Sequence, residues 1–255
     1  MKKILAILIV AMFVLAGVSA LAENGTLTLA SNYAFAPYVY VDDENSEYTG
    51  IDVQIAKVVL GEMGYDIQYE DMEFGAIVIG VQKGKYDIGC GAITITEERK
   101  ANVDFSIPYE SAVQQVVVKA DSELNTMEAV RAAADTILVG VQQDTTGQFY
   151  VEDDLCAANP SNCKPYKTAA DAVQALKSGQ IDVVVVDDGP AQEFLADDDT
   201  LIMFVSDCAP EEYGFCFAKG SELLEPFNEV LQAKIDDGTV AAIFEQFKSA
   251  EEDAE

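Results

Sequence analysis

Three short stretches of this 255-residue chain carry residue types that can hold small charged groups. In Thr94-Ile95-Thr96-Glu97-Glu98-Arg99, the planar fork of Arg99 can take a carboxylate through two parallel N–H donors, and Thr96 stands three residues ahead as a helix cap. Taken alone, an arginine in a chain of 45 acids reads as a surface ion pair with Glu97 or Glu98, worth under about 1 kcal/mol. In Asp144-Thr145-Thr146-Gly147 the backbone N–H groups ahead of a helix can cradle an anion, though the plainer reading is a helix cap. Asp188 follows the apolar run 183–186 and precedes Gly189-Pro190, which puts it at the C-terminal end of a strand, where ligands of open α/β sheets collect. A carboxylate there can pair with an ammonium. Asp187 beside it reads as a turn or rim acid.

Composition removes many other chemistries. The chain has no histidine, so it lacks the usual general base at neutral pH and the usual partner of a nucleophile. With 15 Lys and Arg against 45 Asp and Glu the net charge is −30, which repels nucleic acid and anionic membranes. The acids are dispersed, with small clusters at 42–44, 197–199 and 251–255, and read as a solvated coat. No G-x-x-x-x-G-K-[ST] occurs, so the chain is not itself an ATPase of that type. Nothing points to a cofactor, and no close C-x-x-C pair suggests a metal.

Lys2 and Lys3, an apolar run over 4–16 and the triplet Ala20-Leu21-Ala22 are laid out as a secretory signal peptide over 1–22, with an uncleaved anchor as the alternative. An exported chain can form disulfides, and Cys156 with Cys163 and Cys208 with Cys216 each flank a polar loop, leaving Cys90 as a buried thiol.

The elements that must position the three stretches alternate. A β-like run at 27–30 leads to a helical pattern over 51–63 with Asp52 as its cap; 67–69 leads to 75–82, and 87–93 to 97–101. A second series follows 116–118: helix 127–133, strand 137–141, a helix from Gly147, helix 171–176 and strand 182–186. After these come 191–195, 201–205, a strand at 215–218 and helices at 222–233 and 240–247. Such alternation predicts α/β architecture with mainly parallel sheets covered by helices, in two blocks. Periodicity does not say which block the last segment joins.

Against this frame several segments resemble one family. Gly50-Ile51-Asp52-Val53-Gln54-Ile55-Ala56-Lys57 is similar to the G-F-D-x-D-L-A-K segment of polar amino-acid-binding proteins of ABC importers, the family 3 solute-binding proteins. Lys83-Gly84-Lys85-Tyr86-Asp87, the stretch 93–100, Val103-Asp104-Phe105-Ser106 and Pro108-Tyr109 resemble the family's further segments in order and spacing. Gly140-Val141-Gln142, Thr145-Thr146-Gly147, 182–188 and Tyr213-Gly214 extend the match over nearly the whole chain beyond residue 22.

The resemblance implies a two-lobed periplasmic-binding-protein fold of type II with the ligand in the cleft. Lobe one would combine 23–110 with 209–255, and lobe two would be 111–208, joined by two crossing strands. It implies that Arg99, Thr94 and the N–H of Thr146 hold a ligand's α-carboxylate, and that Asp188 and the carbonyl of Ala92 hold its ammonium. Phe35 and Phe74 would sandwich its side chain, which Asn32 and Gln142 would select. Two neutral amides suggest an uncharged polar ligand such as glutamine. Asp144 stands where the family usually has glycine, and Ala92 where it often has glycine or serine. The function implied is capture of a free amino acid outside the cytoplasm by a monomer and delivery to a membrane permease with its ATPase, without catalysis. The rival is a dehydratase on the same scaffold, using Asp144 or Glu73 as an acid; a ligand-sensing ectodomain is a third possibility.

Overall fold

The computed structural model describes residues 24–42, 44–196 and 198–252, with side chains to residue 247. Residues 1–23, which include the expected signal peptide over 1–22, together with Asp43, Asp197 and the end of the acidic tail, 253–255, lie outside the described residues.

The chain opens with β1 (Gly25–Ser31), a small meander of β2 (Ala34–Phe35), β3 (Val39–Val41) and β4 (Tyr48–Thr49), then α1 (Ile51–Glu62), β5 (Tyr65–Asp71) and α2 (Phe74–Gln82). It continues through β6 (Ile88–Gly89), α3 (Glu97–Lys100), β7 (Val103–Phe105) and β8 (Glu110–Ala112). The next block is β9 (Gln114–Lys119), α4 (Met127–Ala133), β10 (Val139–Gln142), α5 (Thr146–Tyr150), β11 (Cys163–Tyr166) and α6 (Ala169–Lys177). That block ends with β12 (Val183–Asp187), α7 (Asp188–Ala196) and β13 (Leu201–Val205), before β14 (Glu211–Tyr213), β15 (Cys216–Ala218), α8 (Leu224–Asp236) and α9 (Thr239–Glu252).

Two five-stranded sheets result, ordered β5-β1-β6-β15-β7 in the first lobe and β11-β10-β12-β9-β13 in the second. Both are mixed. In the first, β1 runs parallel to β5 and β6 while β15 is antiparallel to β6 and β7; in the second, β10 is parallel to β11 and β12 while β9 is antiparallel to β12 and β13. The parallel core expected from alternation is therefore interrupted at β9 and β15, the strands that follow the passage from one lobe to the other. That passage is an antiparallel ribbon of β8 and β14.

Strands apolar on both faces, such as Val183-Val184-Val185-Val186, are buried throughout, as a sheet covered on both sides requires. The α1 helix buries Val53, Ile55, Val59 and Leu60 against the first sheet. In the same cluster Phe227 and Leu231 of α8 and Val240 and Ile243 of α9 join them, so the C-terminal helices close the first lobe. Asp52 does not cap α1. Gly50 does, at φ 113, because a Cβ there would meet the Tyr38 carbonyl oxygen at 2.2 Å, and Asp52 is turned into the interior. Threonines cap four other helices, Thr96, Thr126, Thr145 and Thr168 each accepting a backbone N–H three residues on.

Candidate functional site

A four-residue helix has almost no stability of its own, so α3 depends on its start. Thr96 Oγ1 accepts the N–H of Arg99 at 3.1 Å, which fixes the turn from which the Arg99 side chain departs. That side chain is only 9% exposed, so it is no surface ion pair. Its Nη1 donates to the Thr94 carbonyl at 2.9 Å and its Nη2 to the Asp144 carbonyl of the opposite lobe at 3.2 Å. The guanidinium carbon lies 5.3 Å from the centroid of the Phe74 ring, within cation–π range. Burial lowers the Arg99 pKa and Glu211 foremost opposes this; the group remains a cation.

Arg99 opens onto a small, tightly closed space between the lobes. From the first lobe Phe35, Phe74, Gly91, Ala92, Thr94 and Arg99 line it; from the second, Gln142, Thr145, Thr146 and Asp187. Asn32 stands behind this wall, accepting the Gln142 amide at 3.1 Å across the lobes and donating to the Met72 carbonyl at 2.9 Å. At the rim Lys167 pairs with Glu73 at 2.7 Å. Asp144 adopts φ 62, the conformation glycine would take there, and its side chain packs on Gly75 at the start of α2. Glu73 and Asp144, the acids a lyase would recruit, are both exposed and off the cavity wall.

The acid at the end of β12 needs correcting. Asp187, read from sequence as a turn residue, is the last residue of the strand, buried and on the cavity wall. Asp188 is not among the lining residues. The helix α7 begins at Asp188 itself, whose N–H donates to the Val113 carbonyl at 3.0 Å, so the strand ends one residue earlier and presents Asp187 to the cleft. Asp187 receives the Tyr213 hydroxyl at 2.6 Å and the Gln114 amide. Burial first, and the nearby Glu211 second, push its pKa up to about 7.

Opposite it, Ala92 is held at φ 52 next to Gly91 at φ 118. Asp52 Oδ2 accepts both N–H groups, at 2.8 Å from Gly91 and 3.0 Å from Ala92, while its Oδ1 accepts the Tyr109 hydroxyl at 2.7 Å. Burial raises the Asp52 pKa to about 6 against these three donors.

A cation and a carboxyl facing one small space between aromatic walls suit a zwitterion. A sequence model of the bacterial extracellular solute-binding proteins, family 3, matches residues 27–250. The chain belongs to this family. Among curated relatives of this family 3 protein, the arginine-binding extracellular protein ArtP of Bacillus subtilis is 27% identical over 228 residues, covering 88% of this chain and 87% of ArtP. Among solved structures, a mutant of the arginine-binding protein ArgBP from T. maritima superposes with a TM-score of 0.80 at 32% identity, covering 88% of this chain and 96% of the other. An ancestral arginine-binding protein bound to glutamine gives 0.79 at 33% identity, covering 88% and 97%.

The family 3 protein carries five free thiols here, so neither expected disulfide is formed. For Cys208 and Cys216 the reason is placement. Cys216 points its sulfur at Gly89 beneath α2, where a Cβ on Gly89 would lie 2.6 Å from it, whereas Cys208 sits among the acids Glu211 and Asp207. Cys156 and Cys163 share the second lobe's core, where burial and then Glu152 push the Cys163 thiol up to about 12. Sequence reasoning also missed Asp52, Asp187, Glu211, Gln114 and Tyr213. Asp52 and Tyr213 lay inside quoted motifs; Gln114 and Glu211 carry no local signal.

Proposed function

We propose that this chain captures a free amino acid outside the cytoplasm and passes it to a membrane permease driven by a separate ATPase. Arg99, with Thr94 and Thr146, takes the α-carboxylate; Asp187, in place of Asp188, takes the ammonium together with the Ala92 carbonyl. Phe35 and Phe74 flank the side chain, whose end meets the Asn32–Gln142 pair. The observation that carries this reading is the buried guanidinium of Arg99 lining the same small space as the buried carboxyl of Asp187, since opposed, desolvated charges select a ligand bearing both signs. The lobes close by bending at the β8–β14 ribbon, the kind of hinge that suits a cleft joined by two strands.

Among ligands, the two neutral amides at the far end favour an uncharged polar side chain, and an ancestral relative was solved with glutamine. Arginine is the first competitor, because ArtP and ArgBP are named for it. Isothermal titration against glutamine, arginine, histidine and cystine tests this. Glutamine is expected to bind tightest, and Arg99→Ala to weaken it more than 10-fold, that is by more than about 1.4 kcal/mol. Absence of binding by every common amino acid would sink the assignment, and turnover of a prephenate-like substrate would move it to the dehydratase.

A further inference from the structure

Glu211 lies on β14, one of the two strands that cross between the lobes. A single carboxylate oxygen, Oε2, accepts the hydroxyl of Thr94 at 2.6 Å and that of Thr146 at 2.9 Å, one from each lobe, and the two hydroxyls stand 3.4 Å apart. The other oxygen, Oε1, is reached at 3.4 Å by Gln114 Nε2, the amide that also donates to Asp187. Gln114 is buried, and its Oε1 has no partner among the described residues. One side chain of the crossing ribbon thus touches both threonines assigned to the ligand's carboxylate and, through one amide, the acid assigned to its ammonium.

The charge around Asp187 is lopsided. Facing it are Glu211 and the Tyr213 hydroxyl from β14, Gln114 from β9, Asp188 from α7, the Tyr38 hydroxyl ahead of β3 and, from α3, Arg99, the one cation facing it among the described residues. Two carboxyls that share one amide donor, one of them buried, cannot both ionise without cost. Asp187 is the more buried and is the one whose pKa burial and Glu211 raise. An arriving ammonium reverses this balance by supplying the missing positive charge.

We propose that Glu211 is a positioning residue for capture: it holds Thr94 and Thr146 together across the closed cleft, and it makes the ligand's ammonium enter against Asp187 in exchange for a proton. This rests on the amino-acid reading above. The step balances simply. The O–H bond of the Asp187 carboxyl breaks, its proton leaves to solvent, and the resulting carboxylate pairs with the ligand's ammonium, with no other bond made or broken.

The test is isothermal titration of the full protein with glutamine and with arginine at pH 6 and pH 8.5, each in two buffers of different ionisation enthalpy, on wild type, Glu211→Gln and Asp187→Asn. At pH 6 the heat should depend on the buffer, reporting release of close to one proton per ligand, and this release should be gone at pH 8.5, where only the small uptake of protons by the ligand's own amine remains. Affinity should rise about tenfold between pH 6 and pH 8, as one linked proton with a pKa near 7 requires. In Glu211→Gln the pH profile should shift to lower pH, so that the tenfold rise shrinks, while affinity at pH 8 falls severalfold as the two threonines exchange a charged common acceptor for a weaker neutral one. The ligand's own titration is common to wild type and variant and cancels. Tight binding with buffer-independent heats at pH 6 would overturn the proposal and leave the amino-acid reading standing. So would the same pH profile in Glu211→Gln, or buffer-dependent heats that persist in Asp187→Asn. Failure of both amino acids to bind at either pH would take the two readings down together.

Discussion

Asp52 and Asp187 are two buried carboxyls, one on each side of the same cleft, and they differ in how completely they are satisfied. Asp52 accepts two backbone N–H groups and the Tyr109 hydroxyl; it faces away from the cavity and shapes the Gly91-Ala92 turn. Asp187 accepts one hydroxyl and one amide, the amide shared with Glu211, and lies on the cavity wall. A buried acid whose partners are fixed backbone donors is finished when the chain folds. One whose nearest charged neighbour is another acid awaits a cation from outside.

The comparison predicts opposite losses. Asp52→Ala strips three buried donors of their acceptor, each worth about 1–3 kcal/mol when left unpaired, so unfolding in urea should show several kcal/mol of lost stability, with affinity lost alongside it. Asp187→Asn keeps a hydrogen-bonding group of the same shape and removes a charge that burial opposes. At pH 5, where the buried carboxyl is protonated in the folded chain, its unfolding free energy should change by under about 1 kcal/mol, while at pH 8 affinity for the amino acid should fall by about 2 kcal/mol or more, the penalty for removing one partner of a buried charge pair. If Asp187→Asn proves the more destabilising and Asp52→Ala the weaker binder only, the contrast is reversed and the site must be reassigned.

The pH dependence of stability sharpens the same contrast. A carboxyl whose pKa is raised in the folded chain favours the native state at pH values below its unfolded pKa near 4, and that contribution is lost as pH climbs through the folded value. The windows therefore end near 6 for Asp52 and near 7 for Asp187. The ligand-free protein should lose stability between pH 4.5 and 8, and Asp187→Asn should remove the upper part of that loss. Saturating ligand should remove the same part in wild type, because the bound ammonium favours the ionised acid. A ligand that leaves the slope between pH 6 and 8 unchanged would show that its ammonium does not meet Asp187.

The sequence was most readable where local chemistry decides the outcome. Thr96 as the cap of α3 and the buried valines of β12 follow from residue type, whereas the placement of Phe35, Phe74 and Arg99 on one wall was legible only through the family resemblance. Where the chain must choose between neighbours, tertiary structure decided. Asp187 and Asp188 differ by a single step, and only the start of α7 at Asp188 shows that the strand carries the first of them into the cleft. Asp52 sits where a cap would be expected, yet Gly50 takes that position because Tyr38 leaves no room for a Cβ. Glu211 is 117 residues from Thr94, and no periodicity reaches that far.

The smallest expected effect tests what holds the Asp52 corner. Ala92 at φ 52 stores strain of about 1 kcal/mol that glycine would not feel, while glycine adds unfolded-chain entropy and forfeits a buried methyl, terms of comparable size and opposite sign. Ala92→Gly should therefore alter the unfolding free energy by less than about 1 kcal/mol. Its carbonyl stays aimed by the Asp52 hydrogen bonds to the N–H groups of Gly91 and Ala92, so affinity measured by calorimetry should hold within twofold or so. A tenfold loss would mean that the Ala92 side chain, rather than Asp52, keeps the turn in shape. Gly91 offers the matching contrast. A Cβ there would lie 2.7 Å from Ser31 Oγ at a φ of 118, so Gly91→Ala should cost more than Ala92→Gly in the same two measurements.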